Sequence, residues 1–270
     1  MAVVAIGGKK GLRALLSIFV NTCLLLLFLL LTFAVFRIEG LFQVTGLFMN
    51  VAVFLALLVL IDRGAPIIPA ACVAFLAVAA ITLFFVNGVN QKTKIAFVCV
   101  LVFLGLFLLL FPLVLSAMNL HGFSAEELDE LAMYSFDVAI DFKALMTAII
   151  LMSFSGAVAD GSMAISTATY ELFQANPQVS IKALSKSSMT VVSDVLSSTI
   201  NTLLFAFMGS NLALIAWFQD LSISFGEMLN SKAFVSELVV CLITGLAAVI
   251  ILPITAWAAS WYFLKRNRME

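Results

Sequence analysis

Two acidic residues, Asp160 and Asp194, stand in stretches of otherwise apolar and small residues, where a carboxylate is able to do chemistry. An ionised carboxylate in lipid costs between about 3 and more than about 10 kcal/mol, depending on the reference. It must therefore face a partner, water or the protein interior, or else be protonated. Because such residues mark ion and proton pathways in membrane proteins, the two aspartates are the first candidates for a site.

Further polar residues accompany each aspartate at helical spacing. Thr190, Asp194, Ser197 and Asn201 form a stripe with a helical period, and Thr167 lies on the same predicted helix face as Asp160. These hydroxyl and amide groups could line a solute or ion path. They could instead be structural, because hydrogen bonds between such groups hold membrane helices together at about 1 kcal/mol each. We expect both stripes to face inward.

Small residues surround Asp160 and predict a tight contact between helices. Ser153, Ala157 and Gly161 recur at four-residue spacing, and Gly156 lies one turn before the aspartate. Small residues at this spacing let two helix backbones approach closely, which is how helices associate in lipid. We therefore predict helix packing at Ser153, Gly156, Ala157 and Gly161.

The elements that carry these residues follow from composition and from the spacing of charges. The chain is 64% apolar and 11% charged, with a mean hydropathy of +1.19, which is typical of membrane proteins. Its apolar runs are continuous and reach the roughly 20 residues that a spanning helix needs, so helices are favoured over a barrel. The sequence predicts an all-α, polytopic transmembrane helix bundle with about seven membrane segments, at residues 14–36, 42–61, 67–86, 95–118, 142–170, 189–217 and 234–263.

The predicted organisation is a single membrane domain over residues 1–270. Residues 119–141 form an acidic extramembrane loop, in which Ser124 and Glu127 have the spacing of a capping box and predict a short helix.

The distribution of lysine and arginine favours a cytoplasmic C-terminus, because basic residues are enriched on the cytoplasmic side of membrane proteins. In that orientation the inside collects Arg37, Lys92, Lys94, Lys182, Lys186, Lys265, Arg266 and Arg268. The opposite side then receives Lys9, Lys10, Arg13, Arg63, Lys143 and Lys232, which leaves the side of the N-terminus open.

Other kinds of chemistry have little support. The four cysteines, Cys23, Cys72, Cys99 and Cys241, stand singly and His121 is the only histidine, so we expect no metal site and no cofactor. We expect no nucleic-acid partner. No nucleophile with a paired base and no phosphate loop is present, so an enzyme is not expected. The two aspartates leave one enzymatic alternative open, an intramembrane aspartate-dependent enzyme in which paired carboxyl groups activate water.

In the segments around Asp160 and Asp194, and in several others, the chain resembles the YibE/F family of bacterial integral membrane proteins, and more closely its short YibF-like branch. The similar segments include SGAVADGSMAIS at 155–166, SDVLSSTINTLLFAFMG at 193–209, VNQKTK at 89–94 and YELFQANPQVSIKAL at 170–184. The resemblance assigns the family's two recurrent aspartates to Asp160 and Asp194. Where relatives tend to have an arginine before the second aspartate, this chain has Ser193, so a local Arg–Asp ion pair is absent from the sequence.

The resemblance implies a multi-pass protein of the bacterial plasma membrane that forms a hetero-oligomer with a YibE-like membrane protein. A homo-oligomer is the alternative that stays open. It implies no substrate. The residues favour a transporter-like or channel-like component for a cation, a proton-coupled solute or another small solute. The alternative is a non-catalytic scaffold or assembly partner of a YibE-like subunit, held by the small-residue stripe.

Overall fold

The computed structural model describes residues 2–118, 141–220 and 224–267, and every regular element in these ranges is a helix. Five helices are long: α1 (Ala2–Asp62), α3 (Gln91–Met118), α4 (Phe142–Ala175), α5 (Ile181–Ser210) and α8 (Lys232–Asn267). Helix α2 (Ile67–Ala80) continues as a π-helical turn over Ile81–Val86, and two short helices, α6 (Leu212–Asp220) and α7 (Phe225–Asn230), lie between α5 and α8. The predicted acidic loop lies outside the described residues up to its last residue, Asp141.

Six helices of the described chain are long and apolar enough to cross a membrane, which confirms the predicted all-α polytopic class. They cover Phe19–Asp62, Ile67–Val86, Gln91–Phe111, Phe142–Ala175, Ile181–Ser210 and Lys232–Lys265. The first contains 44 residues, about 66 Å at 1.5 Å per residue, whereas the hydrocarbon core of a bilayer is about 30 Å thick. It therefore corresponds to the first two of the seven predicted segments.

Helix α1 is interrupted at Arg37, between those two segments. Arg37 has φ 51° and ψ −124°, far from helical values, and this region is strained for a residue with a side chain. Gly40 makes the bend sterically possible, because a Cβ atom there would lie 2.7 Å from the Thr32 carbonyl oxygen. The segment Arg37–Gly40, in which Arg37 and Glu39 separate two apolar runs of the sequence, thus coincides with a break in the helix.

The chain forms two compact units, residues 1–51 and 52–270. In the second unit α4 is the central helix and packs against α2, α3, α5 and α8. Its Phe154 is fully buried in an aromatic cluster, with ring centroids 4.6 Å from Phe107, 5.5 Å from Phe103 and 5.7 Å from Phe75. Helix α4 therefore holds the other helices of this unit in position.

The start of α4 at Phe142 agrees with the predicted segment, whereas the start of α5 differs from it, and a capping side chain sets both starts. Helix α4 begins where the Asp141 carboxylate accepts hydrogen bonds from the backbone N–H groups of Lys143 and Ala144, at 3.0 and 3.1 Å. Helix α5 begins at Ile181 instead of 189, because the Ser180 hydroxyl caps its first turn. It ends at Ser210 instead of 217, at a break before α6. The first turns of α5 are helical, but a hydropathy criterion does not detect them because they are polar.

The short helix α7 begins with a capping box, in which the side chains of Ser224 and Glu227 each bond to the backbone N–H of the other residue. The Glu227 carboxylate accepts hydrogen bonds from the Ser224 hydroxyl at 2.7 Å and the Ser224 backbone N–H at 2.8 Å, and these two bonds lower the pKa of Glu227. Apolar side chains from this region pack into a second small core at the end of the unit where α5 ends and α8 begins. Its buried members are Phe207, Phe218, Met228 and Phe234.

Candidate functional site

Helix α4 has two polar faces with different surroundings. One face is buried and carries hydroxyl groups at Ser155, Ser162, Ser166 and Thr169. The other is exposed on the described bundle and carries Ser153, Gly156, Asp160 and Ala164, while Thr167 is half-buried. Asp160 therefore lies on the outer, small-residue face of α4, and not in the interior that the stripe pattern predicted.

The four predicted packing residues of α4 are divided between these surroundings. Gly161 lies in a close contact inside the chain, where an added Cβ atom would be 2.8 Å from Cδ2 of Leu252 in α8. Ala157 is half-buried, and Ser153 is exposed. Gly156 is exposed as well, and a Cβ atom there would meet no described atom within 4 Å. The close approach of α4 to a neighbouring helix thus occurs at Gly161, whereas Gly156 leaves an open surface.

Helix α5 presents its polar stripe outward. Thr190, Asp194, Ser197 and Asn201 are all exposed. The opposite face of the helix is buried against the bundle through Leu184, Ser188, Val192 and Phe207. The polar stripe was expected to face inward, but the face that packs on α4 and α8 is the more apolar one. Packing of large apolar side chains therefore outweighs burial of the hydroxyl groups.

Asp160 and Asp194 lie at similar depth, each near the middle of a long helix. Asp160 is about 22 Å from the end of α4 at Ala175, and Asp194 is about 20 Å from the start of α5 at Ile181, at 1.5 Å per residue. The two helices are antiparallel neighbours joined by the turn at residues 176–180. Within the described chain neither carboxylate has an ion-pair or hydrogen-bond partner, and the two aspartates are not joined to each other.

A third polar arrangement, which the stripe pattern missed, ties the start of α3 to the end of α4. Lys92 Nζ lies 2.6 Å from Glu171 Oε1 and 4.6 Å from the centre of the Tyr170 ring. The Ser166 hydroxyl donates to the Lys92 backbone carbonyl at 2.8 Å. The sequence signal for this arrangement is a row of hydroxyl residues at helical spacing among large apolar residues, namely Ser162, Ser166 and Thr169.

The same contacts show that the start of α3 and the ends of α4 and α8 lie at one end of the second unit, since the Phe263 ring of α8 packs on Tyr170 and Phe173. The charged side chains, most of them exposed, differ between the two ends. The described residues at this end are Lys92, Lys94, Lys182, Lys186 and Lys265, against Glu171. Those at the opposite end are Asp62, Asp141, Asp220, Glu227 and Glu237, against Arg63, Lys143 and Lys232. One end is therefore basic and the other is acidic.

Two buried hydroxyl groups differ from the rest. Most buried serine and threonine side chains in the described helices donate to a backbone carbonyl, usually of their own helix, as Ser162 does to Val158 and Thr255 to Ile251. Thr169 Oγ1 and Ser188 Oγ are buried and have no hydrogen-bond partner in the described chain.

We predict that Ser166→Ala is more harmful than Ser188→Ala. Ser166→Ala removes the bond between α4 and α3, worth about 0.6 kcal/mol between membrane helices, and lowers the unfolding temperature by about 2 °C. Ser188→Ala removes no hydrogen bond, so the unfolding temperature stays unchanged or rises. Thermal unfolding of the purified protein in detergent measures both variants. An equal loss in the two would show that the Ser188 hydroxyl has a partner.

Metal chemistry has no cluster to support it in the part of the chain that the structure describes, where no three His, Cys, Asp or Glu side chains come together. The four cysteines are free thiols. The candidate site thus consists of two carboxylates, with neutral hydroxyl and amide groups beside them.

Comparison with known proteins gives one result. No curated protein and no solved structure matches the chain. A family model described as YibE/F-like protein matches residues 24–265, which include both aspartates and, apart from the first residues of the N-terminal one, all six long apolar helices described above. The chain is therefore a membrane protein that belongs to the YibE/F-like family.

Proposed function

We propose that the chain is a transport subunit of the bacterial plasma membrane that binds a cation or a proton at Asp160 and Asp194. The observation that carries the proposal is the outward position of both carboxylates in the middle of helices long enough to span a bilayer. A carboxylate left in lipid at that depth costs several kcal/mol. Water, a bound cation or a proton removes this cost in a transport site, and a second protein chain on the same face would remove it as well.

The neighbouring groups suit small, positively charged or polar cargo. Thr190, Ser197 and Asn201 on α5 and Thr167 on α4 offer oxygen atoms and no positive charge. Oxygen ligands of this kind hold hard cations, and they also replace part of the water around a polar solute. The proposal needs binding and release only, and it assigns no enzymatic step to the chain.

The proposed orientation places the basic end of the second unit, with Lys94, Lys182 and Lys265, in the cytoplasm. Lysine is enriched at cytoplasmic ends of membrane helices because anionic lipid and the insertion machinery favour it there. The C-terminus, which follows α8 at this end, is then cytoplasmic.

A second candidate function is a scaffold or assembly partner for another membrane protein, such as a YibE-like subunit. The open surface at Gly156 favours it, since Ser153, Gly156 and Ala164 form a flat small-residue face that could receive another helix. The two functions are compatible, because a second chain on this face would also enclose Asp160.

We predict that Asp160→Asn and Asp194→Asn each reduce cation or proton flux into proteoliposomes by at least about tenfold, which corresponds to only about 1.4 kcal/mol. Flux is measured with a pH-sensitive dye inside the vesicles and with gradients of Li⁺, Na⁺, K⁺ or Mg²⁺ outside. Glu227→Gln is the matched control, because it also turns a carboxylate into an amide but lies in the short helix α7. Wild-type flux in both aspartate variants, or no flux above empty vesicles in the wild type, would contradict the proposal.

A further inference from the structure

The outer face of α5 carries a continuous stripe that alternates three-residue and four-residue steps. Every side chain in this stripe is exposed, and its members are Ser187, Thr190, Asp194, Ser197, Asn201, Leu204 and Met208. We call these seven residues the outer stripe. Alternating steps of three and four average 3.5 residues, which is the repeat that keeps one helix face in register with a neighbouring helix in a left-handed pair. The outer stripe thus has the geometry of a contact with a second, nearly parallel helix.

The chemistry of the outer stripe indicates what that second helix carries. Asp194, Ser197 and Asn201 lie near the middle of α5, a helix long and apolar enough to cross a membrane, and lipid at that depth offers no hydrogen bonds. Serine, threonine and asparagine side chains both donate and accept hydrogen bonds. An identical stripe therefore satisfies each of them, whereas an apolar helix satisfies none. At the other end Leu204 and Met208 supply an apolar contact of the usual kind.

A second copy of the chain presents this stripe in the required direction. Because copies insert into the membrane with the same orientation, two α5 helices on a two-fold axis along the membrane normal run parallel, and each residue meets its own counterpart. Asn201 then faces Asn201 of the second copy, an arrangement that fixes register in parallel helix pairs. The two Asp194 carboxyl groups come to one depth, where like charges favour sharing a proton or a cation.

We infer that two copies of this chain pack α5 against α5 in parallel through the outer stripe. The pairing itself stands on the spacing, exposure and chemistry of the stripe. Its functional consequence, a cation or proton held between two Asp194 side chains, rests on the proposed function.

Disulfide crosslinking in native membranes tests the pairing. Cys23, Cys72, Cys99 and Cys241 are first replaced by alanine, and single cysteines are then introduced along α5. We expect Asn201→Cys, Leu204→Cys and Met208→Cys to form covalent dimers under mild oxidation. Thr202→Cys is the matched control, because it is exposed as well but lies about 100° or more around the helix from each of the three test positions.

The expected result is a dimer fraction several-fold higher at 201, 204 and 208 than at 202. Equal crosslinking at all four positions, or none at any of them, would overturn the inference and would mean that lipid or another protein covers the outer stripe. Crosslinking is done before detergent is added, so dissociation during purification does not affect the result. The introduced cysteines replace exposed side chains, and a monodisperse elution profile confirms that each variant folds.

The outcome also separates this inference from the proposed function. Dimers at the stripe positions without any flux in the wild type would leave the pairing standing and remove the transport proposal. Flux that depends on Asp194, together with no stripe-specific dimers, would support the transport proposal and overturn the pairing.

Discussion

Gly161→Leu is expected to prevent the second unit from folding, whereas Gly156→Leu, five residues earlier on the same helix, is expected to be tolerated. At Gly161 even a Cβ atom would lie 2.8 Å from Leu252 Cδ2, and Leu252 is fully buried in the contact between α4 and α8. Overpacking a core usually costs about 1–3 kcal/mol and sometimes more. A whole leucine side chain at this central contact should lower the free energy of unfolding by at least about 3 kcal/mol. At Gly156 no described atom lies within 4 Å of the added Cβ atom.

Yield and thermal unfolding of the detergent-purified variants measure this difference. Gly161→Leu should give aggregated or poorly accumulated protein. The double variant Gly161→Ala with Leu252→Ala should fold, because the shortened residue 252 leaves room for a methyl group. Equal stability of Gly161→Leu and Gly156→Leu would show that α4 and α8 do not meet at this glycine. If Gly156→Leu folds but loses a co-purifying partner, the open face of α4 binds another chain.

Phe154→Ala is the second substitution with a large expected effect. The Phe154 ring is fully buried and contacts the rings of Phe75, Phe103 and Phe107, so its removal takes away the contact that joins α2, α3 and α4. Phenylalanine-to-alanine changes in cores cost about 3–5 kcal/mol. We expect the free energy of unfolding to fall by about 3 kcal/mol here. Lipid and detergent are themselves apolar, so the substitution removes mainly packing contacts.

This loss corresponds to an unfolding temperature lower by about 6–12 °C. Phe205→Ala is the matched control, because the Phe205 side chain on α5 is 74% exposed and the substitution is chemically the same. It should shift the unfolding temperature by about 1 °C or less. Similar shifts in the two variants would contradict the central position of Phe154.

The all-α class and the long apolar helices were predictable from the sequence because they depend on local properties. Charged residues such as Arg37 and Glu39 interrupt apolar runs of spanning length, and the structure has its helix break at Arg37. The start of α5 was less predictable, since Ser180 sets it through a capping hydrogen bond that a hydropathy pattern does not include. The family was predictable from local motifs around Asp160 and Asp194, and the match over residues 24–265 confirms it.

The directions in which the polar stripes face were not predictable in the same way. The inward orientation was expected because lipid disfavours polar groups, but helical period alone does not say which of two faces packs on the neighbours. In α4 the buried face carries Phe154, Val158 and Ile165. Ser162 and Ser166 are buried because they lie on the same face. Volume and shape across helices decide this, and they depend on residues far apart in the sequence, such as Gly161 and Leu252.

The central claim is that Asp160 and Asp194 bind a cation or a proton inside the membrane, and carbodiimide labelling tests it most directly. Dicyclohexylcarbodiimide partitions into lipid and reacts with protonated carboxyl groups, and mass spectrometry of peptides identifies the modified residues. We predict that both aspartates are labelled in native membranes and that one of Li⁺, Na⁺, K⁺ or Mg²⁺, or a rise in pH, protects them. Labelling confined to other carboxyl groups, or labelling of the two aspartates that neither cations nor pH changes, would contradict the account.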